Sequence, residues 1–283
     1  MDTSSKGNTQ KGVLETVIEI RDQTDNFIVR EIVSLPMTLM VKELIFWGNQ
    51  EKYEKHFGQI IDLGKTLAKI NDSVRGYSKT ETISLEELKN RYANDPNINT
   101  ILGRKAPELD REVDYFLSGI KASLDILARI LNPILDLNLN GWHRGNWKES
   151  KLSGADVLNS LDRNIPVKIK GKIMPFLSFI ETAAPWLTYL VSLRDDVNHG
   201  GGIKSISNIY YDPVKKVVYP QYINHAPGKD EKVNEFMVRT MNEFNLFVNN
   251  FICHLYLSKA PNGMALHRKD NPVSYAWSIT TTI

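Results

Sequence analysis

Three long stretches of the chain repeat apolar residues at steps of three and four positions, which is the pattern of an amphipathic helix. They run from about 107 to 131, from about 173 to 198 and from about 229 to 258. Each stripe is too apolar to remain exposed, so the three helices are expected to pack on one another. The pattern therefore predicts an all-α fold built on a helical bundle.

Prolines and glycines set the expected limits of these helices. Pro107 suits a first helical turn, and Asn132 with Pro133 is expected to end the first helix. Pro185 lies inside the second stretch, where a missing backbone donor should kink the helix or restart it. Glycines 200–202 then close that stretch.

The N-terminal part is predicted from weaker periodicity. A helical pattern from about 37 to 74 is broken near Gly48, and residues 84–93 read as a separate short helix. Ser84 followed by Glu87 is the signature of a capping box, which would start that helix.

Two segments alternate apolar and polar residues and predict β-hairpins. Residues 13–34 are rich in β-branched side chains around a polar centre, and indicate an N-terminal hairpin. Residues 204–224 alternate around Asp212 and Pro213 and indicate a small hairpin after the second long helix. Between the first two long helices, residues 136–171 are irregular, with a short helix expected at 154–162.

These elements suggest four parts of the chain. Residues 1–12 are expected to be a disordered tail, and 13–106 an N-terminal extension of a hairpin and helices. Residues 107–260 are expected to form the helical bundle, and 261–283 a C-terminal tail.

Composition narrows the class of protein. The chain has 283 residues, of which 42% are hydrophobic and 24% charged, so it can bury a core. Its 35 basic and 33 acidic residues give a net charge of +2, which does not indicate a strongly basic nucleic-acid binder. The lone Cys253 supplies neither a disulfide nor a cysteine metal site. Without a signal-like segment or an apolar run of membrane length, a cytoplasmic location with no membrane contact is expected.

The outstanding chemical feature lies at the predicted end of the second long helix. Arg194 and His199 are five positions apart, about 140° around an ideal helix, and the glycines that follow could let the imidazole turn towards the guanidinium. Asp195 and Asp196 stand in the last turn, where the helix dipole disfavours negative charge. A break of a local stability rule is more common at a functional site.

These residues resemble a known family. The segment 194–199 resembles the Arg-x4-6-His motif of the HEPN superfamily. In it, Arg194 is followed directly by the polar Asp195, then by three more residues and by His199 at the end of a long helix. The resemblance spans about 107–258 and implies a helical bundle that often dimerises and brings two motifs together. Many members are endoribonucleases in defence, toxin–antitoxin or RNA-processing systems. Some toxin-type members carry a tyrosine two residues after the histidine, where this chain has Gly201, which argues against that subgroup.

The residue types suit cleavage of RNA by its own 2′-hydroxyl. Imidazole, with an ordinary pKa of about 6.5, can accept and return protons near neutrality. Guanidinium supplies a fixed positive charge with several donors for a phosphate. Arg194 and His199 are therefore the candidate catalytic residues, with Asp195 orienting either the guanidinium or, across a homodimer, the imidazole. The chemistry requires no metal and no cofactor.

A second group of residues is expected to bind the substrate. Asn198 lies inside the motif, and Trp142, His143 and Arg144 together resemble a surface that stacks on single-stranded nucleic acid. Aromatic residues in such a loop can equally anchor a small core.

Other interpretations of the same residues remain open. Asp195, Asp196 and His199 could ligate a divalent metal, although a hydrolytic metal site normally needs further ligands. The predicted hairpin mixes tyrosines with Lys215 and Lys216, either as a nucleic-acid surface or as an edge strand guarded by lysines.

Two functions of different classes follow. The first is a metal-independent endoribonuclease that cleaves single-stranded RNA at a composite site of a homodimer, in a defence or toxin–antitoxin role with an antitoxin or defence-system partner. The second is a non-catalytic HEPN-like module that binds RNA, a nucleotide or a partner protein, which the near-neutral charge favours.

Overall fold

The structure is a computed structural model that describes residues 13–21, 45–93, 100–198, 206–224, 230–259, 264–271 and 274–282. Most of these residues are helical, and the helices are α1 (Gln50–Tyr92), α2 (Pro107–Leu135), α3 (Ala155–Arg163), α4 (Val167–Asn198) and α5 (Val233–Lys259). The strands are β1 (Val13–Arg21), β2 (Leu102–Arg104), β3 (Arg144–Trp147), β4 (Ser150–Ser153), β5 (Ile209–Asp212), β6 (Val217–Tyr219), β7 (Tyr222–Asn224), β8 (Asp230–Lys232), β9 (Met264–Asn271) and β10 (Ser274–Thr282). The expectation of a mostly α-helical protein with small β-elements is confirmed.

The long helices enclose one hydrophobic core, to which α1 contributes together with the helices after residue 106. Helices α1 and α2 approach closely at Gly119, where an added Cβ would lie 2.5 Å from Cγ1 of Ile70. Helix α5 runs antiparallel to α1, since Tyr256 Oη lies 3.0 Å from Nε2 of His56 at one end. At the other end, Asn234 accepts a 2.8 Å hydrogen bond from Ser78.

Helix α1 is one helix of 43 residues, so the expectation of two separate helices was wrong. The helix does begin just after Gly48, at Gln50. Ser84, expected as a helix cap, lies buried within α1. The buried stripe continues through Tyr77 and Glu81. Because Glu81 is polar, it interrupts the apolar periodicity of the sequence although it is buried in the helix.

Prolines interrupt the helices less than the sequence suggested. Helix α2 continues past Pro133 to Leu135 and ends at Asp136, which has a left-handed φ of 53°. Helix α4 begins at Val167 rather than near 173 and passes through Pro175 and Pro185 without restarting. A proline in a helix removes one backbone hydrogen bond, and the tertiary packing of the remaining turns retains the helix.

The strands confirm the predicted hairpin after α4, whereas the strand pairing at the termini differs from the prediction. Strands β5 and β6 pair antiparallel, as predicted, and β2 pairs with the other edge of β5. Strand β1 is present, but it pairs with β10 of the segment expected to be a C-terminal tail. The second strand expected in the N-terminal hairpin and the tail at 1–12 lie outside the described residues.

Helix α4 is also long and apolar enough, by length and composition, to cross a membrane, and it is the one such helix in the described part of the chain. Of the segment Val167–Asp196, the most apolar window is 44% buried inside the protein. A core helix passes the same test, and α4 packs against α2 and α5.

Candidate functional site

The motif helix ends with a charged pair that is open to solvent. Arg194 donates from its guanidinium to Oδ1 of Asp195 over 3.2 Å, and the two side chains are 35% and 39% exposed. An ion pair this exposed contributes about 0–1 kcal/mol to stability. Of the two roles expected for Asp195, the structure contains the contact needed to orient Arg194.

The remaining motif residues are only partly described. Helix α4 extends through Asn198, so residues 194–198 have helical geometry. The side chain of Asn198, together with His199 and glycines 200–202, lies outside the described residues. The convergence of His199 with Arg194 therefore stays a prediction.

The hairpin β3–β4 lies along α4 and ends close to the motif. Near its tip, Trp147 Nε1 donates to Oε1 of Glu181 over 3.1 Å, and at its base Ser153 N donates to Oγ1 of Thr188 over 2.8 Å. Glu181 and Thr188 are seven residues apart and share one face of α4 over a rise of about 10 Å, which matches three residues of strand. Asp195 is seven residues further along the same face. We call Glu181, Thr188 and Asp195 the hairpin face of α4.

The register of the hairpin locates the backbone of Arg144 relative to α4. Arg144 pairs with Ser153 across the hairpin, so its backbone lies at the level of Thr188. The Arg194–Asp195 pair lies roughly 10 Å further along α4. Arg144 and His143 are both exposed at the base of the hairpin. Arg144 lies on the face of strand β3 opposite to Trp147, whose indole contacts Glu181 of α4, so its approach to Arg194 stays a prediction.

Trp142 does not belong to that surface. Its side chain is fully buried, and its ring lies 6.3 Å from the ring of Phe247 and 6.2 Å from that of Phe251. A buried indole cannot stack on a base from solution, so its expected role in substrate binding is corrected to that of a core anchor. Trp147, which is 6% exposed, is a second anchor in the same hairpin.

Two buried or half-buried carboxylates hold this loop in place. Asp125 on α2 accepts a 2.7 Å hydrogen bond from the backbone of Trp142, and Asp156 on α3 accepts one of 3.0 Å from the backbone of His143. Burial raises the pKa of the Asp156 carboxyl, although hydrogen bonds from the backbone of His143 and Val157 oppose that shift. The loop is therefore fixed from two helices, and its exposed side chains are presented on a rigid support.

The local charge differs from that of the whole chain. Residues 142–175 contain seven basic and three acidic residues, a net charge of +4, whereas the whole chain carries +2. Two of the basic groups are paired, Lys148 with Glu181 and Lys170 with Asp162. Lys168, Lys170 and Lys172 lie in the first turns of α4, about 33 Å or more along the helix from Arg194, so this charge is not concentrated beside the motif.

The residues that hold the hairpin were not found from the sequence. Glu181 and Thr188 are polar positions within an apolar stripe, spaced by seven residues from each other and from Asp195. That spacing was the available signal, because polar residues repeating on one helix face indicate a second packing surface.

Two other residues weighed for chemistry have structural surroundings. His254 is half-buried and stacks with Phe179, the ring centroids lying 5.0 Å apart, and burial lowers the pKa of its imidazole. Cys253 is a buried thiol in the same helix. In the described part of the chain, no group of three or more His, Cys, Asp or Glu residues is placed to hold a metal ion.

Comparisons of the chain with models of protein families, with curated proteins and with solved structures found no match. Function is therefore inferred from the residues of this chain alone.

Proposed function

We propose that the protein is a metal-independent endoribonuclease of HEPN type that cleaves single-stranded RNA. The observation that carries this proposal is the partly exposed Arg194–Asp195 ion pair near the end of α4, in which Asp195 holds a guanidinium that solvent can reach. A guanidinium group fits a phosphodiester backbone, because it binds phosphate through paired donors.

In the proposed reaction, the chain's own residues do all the chemistry. His199 accepts the proton of the ribose 2′-hydroxyl, and the 2′-oxygen attacks the adjacent phosphorus. Arg194 neutralises the charge that develops on the phosphoryl oxygens, while Asp195 keeps its guanidinium in place. The bond to the 5′-oxygen breaks, that oxygen takes up a proton, and the products carry a 2′,3′-cyclic phosphate and a 5′-hydroxyl.

The first test is cleavage of labelled single-stranded RNA in the presence of EDTA. Arg194→Ala and His199→Ala should each lower the rate by roughly 100-fold or more, as expected for loss of charge stabilisation or of a general base. Arg111→Ala is the matched control, because Arg111 is an exposed arginine on α2 away from the hairpin face. Cleavage that stops on adding EDTA, or that survives His199→Ala, would refute the proposal.

The dimeric form of the site has its own test. If each site combines Arg194 of one subunit with His199 of the other, mixing the two inactive variants restores one intact site in every heterodimer. Recovery of activity on mixing supports a composite site. Activity that stays absent, with a monomer in sedimentation, assigns both residues to one chain.

The second candidate is a module that binds RNA without cleaving it. The Arg194–Asp195 ion pair favours it, because that pair already uses one guanidinium donor within the chain. RNA binding that Arg194→Ala weakens, without any cleavage by the wild type, would establish this function instead.

A further inference from the structure

The solvent face of the sheet β2–β5–β6 carries a row of three residues in register. Tyr210 in the central strand pairs with Tyr219 on one side and with Gly103 on the other. The next residue, Tyr211, points the opposite way and is buried against Tyr92, with ring centroids 6.2 Å apart. Tyr210 and Tyr219 therefore stand on the outer face, where both are partly exposed.

The two outer tyrosines stack face to face along the row. Their ring centroids lie 4.6 Å apart and their planes differ by 13°. This distance is close to the spacing of neighbouring strands, about 4.8 Å, so the rings follow the sheet one strand at a time. The second face of the Tyr210 ring is thus directed over strand β2.

Above strand β2 the row has an open position. Gly103 is exposed, and a Cβ added to it would meet nothing within 4 Å. Its backbone has no left-handed φ, so the glycine is not required by the conformation of the strand. We call the space above Gly103 beside the Tyr210 ring the base slot.

Positive charge surrounds the base slot. Lys105 is exposed just after the end of strand β2, two residues from Gly103, and Lys215 and Lys216 are exposed in the β5–β6 turn. Lys215 also lies 6.0 Å from the centre of the Tyr219 ring. Asp212 is 9% exposed, and its Oδ1 accepts hydrogen bonds from the backbone of Val214 and Lys215. Its Oδ2 lies 3.8 Å from Nζ of Lys215, so a phosphate would compete with this carboxylate for Lys215. A planar ring flanked by phosphates matches this combination of a stacking surface and cations.

The base slot lies on the sheet that receives the chain after the motif helix. The described chain resumes at Ile206, which bridges to Ile223, and Ser207 N donates to the carbonyl of Tyr222. Strand β5 begins at Ile209, eleven residues after the end of α4. In the chain, the strand that carries Tyr210 therefore follows the helix that carries Arg194.

We propose that the base slot binds one nucleobase of single-stranded nucleic acid, stacked on Tyr210 above Gly103, with Lys105 and Lys215 facing the flanking phosphates. The inference deepens the proposed function and rests on it for the choice of RNA as substrate. Stacking tolerates every base, so the slot selects unpaired nucleotides rather than a sequence.

The test measures RNA binding in full-length protein that carries His199→Ala, so that the probe stays intact. Gly103→Val fills the base slot and suits a strand, because valine has high β-propensity. Gly58→Val is the matched control, since Gly58 is exposed on α1 and its added Cβ also meets nothing within 4 Å. The probes are a labelled polyuridine of about ten nucleotides and an abasic oligomer of the same length, with binding read by anisotropy.

Gly103→Val should weaken polyuridine binding by about tenfold or more, and Tyr210→Leu should do the same, because one base loses its stacking partner. Tyr210→Trp should retain the affinity. The abasic oligomer should bind weakly and equally to all variants, and circular dichroism melting should show unchanged stability for Gly103→Val. Equal affinity for both probes, unchanged polyuridine binding by Gly103→Val, or no binding by the protein carrying His199→Ala alone would overturn the proposal.

The two proposals can fail separately. If His199→Ala abolishes RNA cleavage while Gly103→Val cleaves RNA as fast as the wild type, the nuclease proposal is supported and the base-slot proposal is refuted. If Gly103→Val weakens RNA binding but the wild type does not cleave RNA, the base-slot proposal is supported and the nuclease proposal is refuted.

Discussion

A series of three glycine-to-alanine changes tests how the loop beside the motif is held. Gly154 has a φ of +84°, and a Cβ placed there would lie 2.4 Å from the indole of Trp142. The left-handed backbone costs an alanine roughly 1–2 kcal/mol, and forcing a methyl group into a packed ring costs roughly 1–3 kcal/mol more. Gly154→Ala should therefore lower the free energy of unfolding by about 2–5 kcal/mol.

Two other glycines separate these contributions. Gly48 also has a positive φ, of +77°, but its Cβ would meet nothing within 4 Å, so Gly48→Ala measures the backbone cost alone. Gly171 lies inside α4 with open space and no left-handed φ, and Gly171→Ala should stabilise the protein by about 0.5–1 kcal/mol. The difference between Gly154→Ala and Gly48→Ala isolates the contact with Trp142, at about 1–3 kcal/mol.

The assay is urea unfolding followed by circular dichroism, with tryptophan fluorescence as a second probe. The reasoning fails if the free energies of unfolding of Gly154→Ala and Gly48→Ala differ by less than about 0.5 kcal/mol. The indole would then not pack against the backbone of Gly154, and the buried position of Trp142 would be wrong. The position of Arg144 would then also need revision, because both residues belong to the same loop.

Two further predictions concern a buried histidine and the hairpin contact. Burial lowers the pKa of His56 to about 4, below its ordinary 6.5, so its neutral form stabilises the fold above about pH 6.5 and this stability is lost as the pH falls towards 4. Between these pH values the free energy of unfolding in urea should therefore fall by about 3 kcal/mol more for the wild type than for His56→Leu. Parallel dependence of the two free energies on pH would contradict this. Thr188→Val leaves the buried backbone N–H of Ser153 without its acceptor and should cost about 1–3 kcal/mol in the same assay. Thr182→Val, which loses only a hydrogen bond to its own helix, is the control, and equal costs in the two variants would show that the hairpin contact is unimportant.

The local elements were largely readable from the sequence. The stripe that became α5 repeats apolar residues over its whole length, and strands β5 and β6 alternate around Asp212 as expected. Such patterns depend only on the 3.6-residue and two-residue periods of helix and strand, which each segment carries by itself. The same reasoning failed for α1, whose buried stripe includes Glu81.

Glu81 shows why that helix was divided. Its carboxyl is buried beside the hydroxyl of Tyr77, which lies 3.3 Å away, and burial raises its pKa. Tyr77 in turn contacts Gln221, which is 144 residues distant in the chain. A polar residue can belong to a core when distant partners satisfy its hydrogen bonds, and local periodicity contains no information about those partners.

The sequence by itself determined the α-helical class, the apolar faces that had to be covered and the conjunction of Arg194 with His199 in one short segment. Only the tertiary structure decided that Trp142 points inwards, that the hairpin carrying Arg144 packs along α4, and that Gly103 stands opposite Tyr210. Those relations join residues that are far apart in the chain, up to the 107 positions between Gly103 and Tyr210. They depend on which surfaces pack and on the register of the strands, and the free energy that selects them exists only once the whole core is assembled.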